Sequence, residues 1–218
     1  MKRKCLSLLL VVAAVAGLGT ASLAQATTIH YGVFGGVGLS KMRLDDEVTI
    51  ETKSIKAPAF GATVRFELSP TLSVEPGLMY VSDGFSFGKA EATDQQGNPL
   101  GTFEELSVLE HLQVPVLFRY TLPSSGKMHV FGLAGPYGSI HLSEYMRATG
   151  AIEEKHATEG LRAAHAGVIL GGGVQRTMGS GQLELQVRYD AGLTSLQESG
   201  LPGSVYANAV RLLLGWSH

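Results

Sequence analysis

The sequence predicts an all-β fold, an eight-stranded antiparallel up-and-down transmembrane β-barrel that follows an N-terminal signal peptide. The first observation behind this prediction is the stretch Gln182 to Leu193, where polar and apolar side chains alternate without a break. Successive side chains of a strand point to opposite faces, so this strand has one apolar and one charged face. A membrane-crossing strand needs roughly 9 to 11 residues, whereas globular strands have about 5 to 6, so the unbroken length indicates a membrane span.

Two further observations concern the rest of the chain. Seven other segments are rich in apolar residues, most of them at alternate positions: residues 29–39, 59–68, 72–80, 106–120, 128–142, 163–175 and 210–216. Long polar links follow the first, third, fifth and seventh strands, and short turns follow the second, fourth and sixth. Outer-membrane barrels have short periplasmic turns and longer external loops. This alternation favours a barrel over a soluble sandwich, and it predicts external loops chiefly at Ser82 to Glu105 and Ser143 to Leu161.

Residues 1–26 are predicted to be a cleaved secretory signal peptide, which leaves residues 27–218 as the barrel domain. The basic residues Lys2 to Lys4 precede an apolar core, Leu6 to Leu18, and the small-x-small cleavage signal Ala24-Gln25-Ala26. A retained anchor helix is disfavoured because it needs about 20 apolar residues. The only cysteine, Cys5, lies in this segment, so the exported domain is predicted to have no thiol.

Charge and hydropathy exclude two classes of protein. The chain has 17 Lys and Arg against 19 Asp and Glu, and three of the basic residues lie in the signal segment. The remaining chain is therefore acidic, which gives no reason to expect a nucleic-acid partner. After Ala26 there is no run of 18 apolar residues, so a helical membrane protein is excluded, while barrel strands are apolar on one face only.

The first four strands each set an apolar outward face against small or polar inward residues. The first strand has glycines on its inward face, which suits a narrow barrel. The second ends at Ser69-Pro70, a tight turn because proline presets the turn dihedral. The third strand places Glu75 inward, and the fourth places Gln113 and Arg119 inward.

The last four strands vary more in pattern. The fifth is apolar on both faces, so alternation does not assign its inward side. The sixth contains Gly171 to Gly173, which we interpret as packing space, since the phosphate-cradling motif requires a following helix. The seventh is the stretch Gln182 to Leu193, and the eighth places Arg211 inward.

The predicted inward positions collect both signs of charge. Buried charges must be paired, and an eight-stranded barrel is just wide enough for side chains to fill. We therefore predict an interior polar plug that blocks conduction, although some members could instead be solvated at the rims. Its predicted members are Arg65, Glu67, Glu75, Gln113, Arg119, Glu184, Arg188, Asp190 and Arg211.

Aromatic residues occur on the predicted outward faces, where they are expected to contact the lipid of the outer membrane. The lipid-facing aromatic residues are Tyr31, Phe60, Phe66, Tyr80, Phe118, Tyr120, Tyr189 and Trp216.

The sequence gives no support for a metal site or a cofactor. The seven histidines show no i, i+4 pair and no Cys/His cluster. Asp45-Asp46-Glu47 could bind calcium, but a solvated loop is the favoured interpretation.

Two alternatives to a structural or interaction protein remain open. His141 and Ser143, with Glu144 beside them, could form an activated serine on one strand face, and this arrangement resembles that of outer-membrane lipid A deacylases. A match this short can arise by chance, so the chain is predicted not to be an enzyme. A soluble, lipocalin-like periplasmic barrel is the other alternative, and it would keep its apolar faces inside.

Several segments together resemble the PorT-like outer-membrane β-barrel family of Bacteroidetes-type bacteria. They are Phe34 to Ser40, Leu72 to Tyr80, Leu112 to Tyr120, Gly135-Pro136-Tyr137 and Arg188 to Leu193, in that order. The resemblance implies an eight-stranded barrel in the outer membrane of a Gram-negative cell, porin-like by family but too small for an open pore. It supplies no catalytic residues. The predicted function is a structural or surface-interaction scaffold whose external loops bind a partner that the sequence does not name.

The resemblance also implies a partner in the barrel-insertion machinery. Chains of this kind commonly finish on an aromatic residue that this machinery reads. This chain ends in Trp216-Ser217-His218, so Trp216 is expected to serve from two positions further in.

Overall fold

The computed structural model describes residues 28–44, 53–93, 96, 98–150, 154–157, 162–196 and 204–218. The predicted signal peptide and the Asp45-Asp46-Glu47 segment lie outside these described residues. Within them, no helix is long and apolar enough to cross a membrane.

Nine strands account for nearly all of the described residues. Their bounds are β1 (Thr28–Leu44), β2 (Lys53–Glu67), β3 (Leu72–Thr93), β4 (Pro99–Thr121), β5 (Met128–Gly150), β6 (Glu154–Ala157), β7 (Ala164–Met178), β8 (Gly181–Gly192) and β9 (Val205–Ser217). All strands except β6 are long, and each of these eight has enough residues to cross a bilayer at a tilt.

The eight long strands close into a barrel. Each pairs antiparallel with its neighbours in the ring β1-β2-β3-β4-β5-β7-β8-β9, and β9 pairs with β1 to complete it, with Gly32 opposite Ser217. The predicted eight-stranded antiparallel barrel is confirmed. The remaining short strand, β6, pairs only with β5 among the described strands and lies outside the ring.

The barrel has a turn end and a far end. Short connections join β2 to β3, β4 to β5 and β7 to β8, and they lie at the same end as Thr28 and Ser217. At the far end, β3 continues past its last pairing with β2, at Ser86, and remains paired with β4 up to Thr93. The upper part of β5 likewise pairs with β4 and β6.

The prediction that Ser82 to Glu105 and Ser143 to Leu161 are loops is wrong, because most of their described residues belong to β-strands. The described parts form a four-stranded sheet of β3, β4, β5 and β6 that projects beyond the barrel, and we call it the projecting sheet. The reason is that cross-strand hydrogen bonding continues in water even where no lipid requires an alternating apolar face.

The inward face of β5, which alternation leaves unassigned, is settled by the fold. Phe131, Leu133 and Tyr137 are buried inside the barrel, while Met128 and Val130 are exposed on the outer wall. Phe131, Leu133 and Tyr137 form a core cluster with Leu117 and Ile169. Both faces are apolar because the inner face packs on a core and the outer face meets lipid.

Glycines give the interior its room. A methyl group at Gly215 would lie 2.1 Å from the Phe34 ring, so the inward Phe34 packs directly on that glycine. A methyl group at Gly38 would come within 3.1 Å of Arg211 Nη1, so this glycine leaves space for the guanidinium.

Candidate functional site

The turn half of the barrel holds a network of buried ion pairs. Arg119 Nη1 lies 2.8 Å from Glu184 Oε2 and 3.4 Å from Glu75 Oε2. Arg65 donates to Glu184, and its Nε lies 3.7 Å from Glu75 Oε2. Two arginines thus share two carboxylates that come from β3 and β8, on different sides of the lumen. All four side chains are almost fully buried.

Neutral side chains complete this network. Both Arg65 and Arg119 donate hydrogen bonds to the Gln175 amide oxygen. The Arg119 guanidinium carbon lies 3.4 Å from the centroid of the Phe131 ring, a close cation–π contact. Glu184 also accepts a hydrogen bond from the Ser217 hydroxyl at 3.1 Å. These contacts offset part of the cost of removing the charges from water.

A second network lies nearer the far end and centres on Arg211. Its Nη2 donates to Asp83 Oδ1 at 2.6 Å, and its Nε donates to Asp190 Oδ2 at 2.8 Å. Gln113 Nε2 donates to the same Asp190 oxygen at 3.3 Å. Strands β3, β4, β8 and β9 are therefore tied together across the lumen.

Arg188 extends the turn-half network toward the far end. Its Nη2 lies 3.6 Å from Glu75 Oε1 in the turn-half network. Its Nε donates to Gln186 Oε1 at 2.8 Å, and its Nη1 contacts the Met79 sulfur at 3.3 Å. Arg188 is 1% exposed, so these contacts are made away from bulk water.

The combined interior is charge-balanced. Four arginines (65, 119, 188 and 211) face four carboxylates (Glu75, Asp83, Glu184 and Asp190) in the ion pairs of the described residues. A buried charge without a partner is strongly destabilising, so equal numbers of both signs are what a filled lumen requires.

The structure brings together eight of the nine residues predicted for the plug: Arg65, Glu75, Gln113, Arg119, Glu184, Arg188, Asp190 and Arg211. The ninth, Glu67, lies apart from them at the rim of the turn end. Its side chain is 36% exposed and pairs with His30 at 3.0 Å. Glu67 is the last residue of β2, where water rather than protein surrounds the inward face.

Sequence reasoning missed Asp83, Gln175 and Ser217, and it placed Gln186 on the inward face of its strand without including it in the plug. Asp83 falls within the predicted external loop at Ser82 to Glu105, yet the parity of Glu75 continues through Met79 to Asp83 on the same strand. Extending that parity would have found it. Ser217 and Gln175 carry no such signal, because neutral polar residues near strand ends are as common on solvated surfaces as in networks.

An apolar layer covers the second network at the far end. Leu196, from the segment after β8, is 1% exposed and packs with Met42, Leu109 and Ala207, and Phe85 and Val205 lie against them. Backbone bonds hold this segment, because Leu196 N donates to Val205 O at 2.8 Å and Leu196 O accepts from Arg162 N at 2.8 Å.

Three histidines meet inside the far half of the barrel. The His111 ring centroid lies 5.3 Å from that of His141 and 4.7 Å from that of His165, both edge-to-face. Among the described residues, no three His, Cys, Asp or Glu side chains form a group that could hold a metal ion.

The alternative in which His141 and Ser143 share one strand face does not agree with the strand register. The β4–β5 register shifts so that His111 pairs with His141 while Glu110 pairs with Ser143, which leaves Leu142 as an extra residue on β5. Such a bulge reverses the facing of the residues beyond it. His141 therefore points inward to His111, whereas the Ser143 hydroxyl donates to Glu110 on the outer wall.

The outer wall is apolar along the barrel strands. Of the aromatic residues predicted to face lipid, six are well exposed: Tyr31, Phe60, Phe118, Tyr120, Tyr189 and Trp216. Phe66 and Tyr80 are partly buried, and the Tyr80 ring stacks on Phe60 with centroids 4.8 Å apart. A soluble lipocalin-like barrel would place the charges outside and the apolar faces inside, and these strands do the reverse.

Several solved structures resemble this chain at low identity. The attachment invasion locus protein Ail of Yersinia pestis, solved with the heparin analogue sucrose octasulfate, is 11% identical, with a TM-score of 0.41 over 88% of this chain and 100% of that one. Neisserial surface protein A is 10% identical, with a TM-score of 0.47 over 86% and 95%. OprG of Pseudomonas aeruginosa is 12% identical, with a TM-score of 0.47 over 86% and 94%.

No curated protein matches the sequence. A family model does match it, over residues 23–198, and its description is an outer membrane protein beta-barrel domain. This match covers most of the chain and agrees with the closed ring, the charged interior and the apolar outer wall. The chain belongs to the outer membrane protein β-barrel domain family, and its place is the outer membrane.

Proposed function

We propose that this protein is a closed, non-conducting barrel that anchors a display surface in the outer membrane. The observation that carries this proposal is the balanced set of four arginines and four carboxylates that spans the lumen. An ion passing through would have to displace guanidinium groups that are each bonded to strands on different sides. In a barrel of eight strands, side chains fill the interior.

The display surface is the projecting sheet of β3, β4, β5 and β6. Binding residues are commonly carried on segments that a rigid scaffold positions, and the barrel is such a scaffold. Exposed side chains on this sheet include Lys89, Glu91 and Thr102, so the surface offers both signs of charge to a protein or cell-surface ligand.

The conduction part is tested in planar bilayers. The purified barrel is expected to give no steady single-channel steps, and Glu67→Gln, which changes only the rim, serves as a matched control that should behave identically. Regular, ion-dependent openings of the unmodified protein would overturn the closed-barrel proposal.

The display part is tested on intact cells with a membrane-impermeant amine reagent. Lys89, on the projecting sheet, is expected to react, whereas Lys127, in the turn between β4 and β5, is expected to react only after the outer membrane is opened. The reverse pattern would mean that the barrel is inserted with the projecting sheet in the periplasm.

Export and insertion complete the proposal. Residues 1–26 act as the signal peptide, and protein purified from outer membranes should begin at Thr27; an intact start would contradict this. The barrel-insertion machinery assembles the chain, so replacing Trp216 should lower the amount of folded barrel in the membrane. The ordered segments from Phe34 to Leu193 support placing the chain in the PorT-like branch of the family.

No enzymatic activity is included in the proposed function. The opposite facings of His141 and Ser143 support this, because an activated serine needs both on one side. Ser143→Ala should leave lipid A acylation unchanged in cells that express the barrel. A change in acylation that depends on Ser143 would restore the lipid A enzyme as a candidate.

A further inference from the structure

Two exposed lysines lie where the apolar outer wall ends on β1 and β2. The outward residues of β1 run from Val33 through Leu39 to Lys41, and those of β2 run from Phe60 through Pro58 to Lys56. On both strands the first charged outward residue toward the far end is thus a lysine. This height corresponds to the headgroup region if the apolar wall occupies the hydrocarbon core.

The strand register brings these two lysines close together. Lys56 lies directly opposite Leu39, and Lys41 is the next outward residue on β1. They are therefore diagonal neighbours, whose separation across an antiparallel pair is about 7–8 Å. Each ammonium group sits on a flexible four-carbon stem with three rotatable donors, so both can reach one phosphate group.

The wall beneath the lysines is suited to acyl chains. Phe60 is 55% exposed and stacks on Tyr80, with ring planes 23° apart, and Leu39 and Val37 are exposed beside it. The charged pair is therefore continuous with the lipid-facing surface.

Another part of the same outer wall carries the opposite charge. Glu110 on β4 accepts a hydrogen bond from Ser143, and it lies two strands away from β2 in the ring. A negatively charged headgroup would consequently be attracted to the β1–β2 wall and repelled at β4.

We propose that Lys41 and Lys56 form a binding site for the phosphate group of a phosphorylated lipid in the external leaflet. The inference rests on the proposed function, because it requires the β1–β2 wall to lie in the outer membrane. The ammonium groups donate charge-assisted hydrogen bonds to phosphate oxygens, and the acyl chains lie along Leu39 and Phe60.

The experiment compares lipid A with its dephosphorylated form in nanodiscs that hold the full barrel in phosphatidylcholine. Native mass spectrometry reports how much of each lipid stays bound. The unmodified protein should retain lipid A in preference to the dephosphorylated form. Each of Lys41→Gln and Lys56→Gln should weaken lipid A retention about fivefold, and the double variant about 25-fold. Lys127→Gln, at an exposed lysine in the turn between β4 and β5, is the matched control and should retain lipid A normally.

Two results would overturn the inference while leaving the proposed function intact. One is equal retention of both lipids by the unmodified barrel, and the other is an equal loss of lipid A retention for Lys127→Gln and the double variant. In either case, the barrel should still enter nanodiscs and run as a compact, heat-modifiable band. The result would then contradict the lysine site and leave the closed barrel unaffected. A chain that does not enter the bilayer at all would overturn the inference and the proposed function together.

Discussion

Arg211 on β9 donates a hydrogen bond to Asp83 on β3 at 2.6 Å, although the two strands are not neighbours in the barrel and the residues are 128 positions apart. The bond crosses the lumen and is closed off by the apolar layer around Leu196. Because both groups are buried, each depends on the other to offset its loss of hydration. The same dependence gives the predictions for the interior.

Asp83→Ala is expected to destabilise the barrel by about 3 to 5 kcal/mol, since it leaves Arg211 buried with Asp190 as its remaining carboxylate. Urea unfolding in lipid vesicles, followed by gel mobility without boiling, measures the change. Glu67→Ala removes a hydrogen-bonded contact with His30 at the rim and should cost no more than about 1 kcal/mol. Equal effects of the two variants would show that the lumen network adds nothing to stability.

Arg188→Ala should also destabilise the barrel, again by about 3 to 5 kcal/mol, because Arg188 is buried and removing it leaves the Glu75 carboxylate with one charged partner fewer. The midpoint of thermal unfolding should fall, and the unboiled protein should lose its fast gel band at lower temperature. An unchanged unfolding midpoint would contradict an interior plug.

Gly215→Ala should destabilise the barrel by about 1 to 3 kcal/mol through overpacking, because its methyl group would meet the Phe34 ring at 2.1 Å. Gly35→Ala is the matched control, since nothing lies within 4 Å of a methyl group there. Combining Gly215→Ala with Phe34→Ala should cost less than the two separate changes added together. Strict additivity would mean that the two residues are not in contact.

Val187→Arg places a charge in the middle of the β8 outer face, where the side chain is exposed to lipid. The expected cost is about 2 to 4 kcal/mol if that position is at the bilayer midplane. Ser54→Arg, near the far end of β2, should be close to neutral in the same vesicle unfolding assay. A neutral Val187→Arg would place β8 outside the hydrocarbon core and contradict the membrane-spanning orientation.

The alternation from Gln182 to Leu193 was sufficient to identify both faces of β8, because side-chain direction in a strand depends only on position along it. The same reasoning placed Arg65 and Arg119 inside. It could not assign β5, where Tyr137 and Val130 are apolar for different reasons, one in a core and one toward lipid. Alternation also did not predict that cross-strand hydrogen bonding extends β3 and β4 beyond the barrel.

Local periodicity and link length were sufficient to predict the fold class, the number of barrel strands and most of the inward charges. Which charges meet depends on how the strands close into a ring, since Arg65 and Glu184 are 119 positions apart and face each other only when that ring forms. His141 and Ser143 face opposite sides of the barrel wall for the same reason, because the bulge at Leu142 arises from the pairing of β4 with β5. Local pattern sets the direction of a side chain, and the register of distant strands sets its partner.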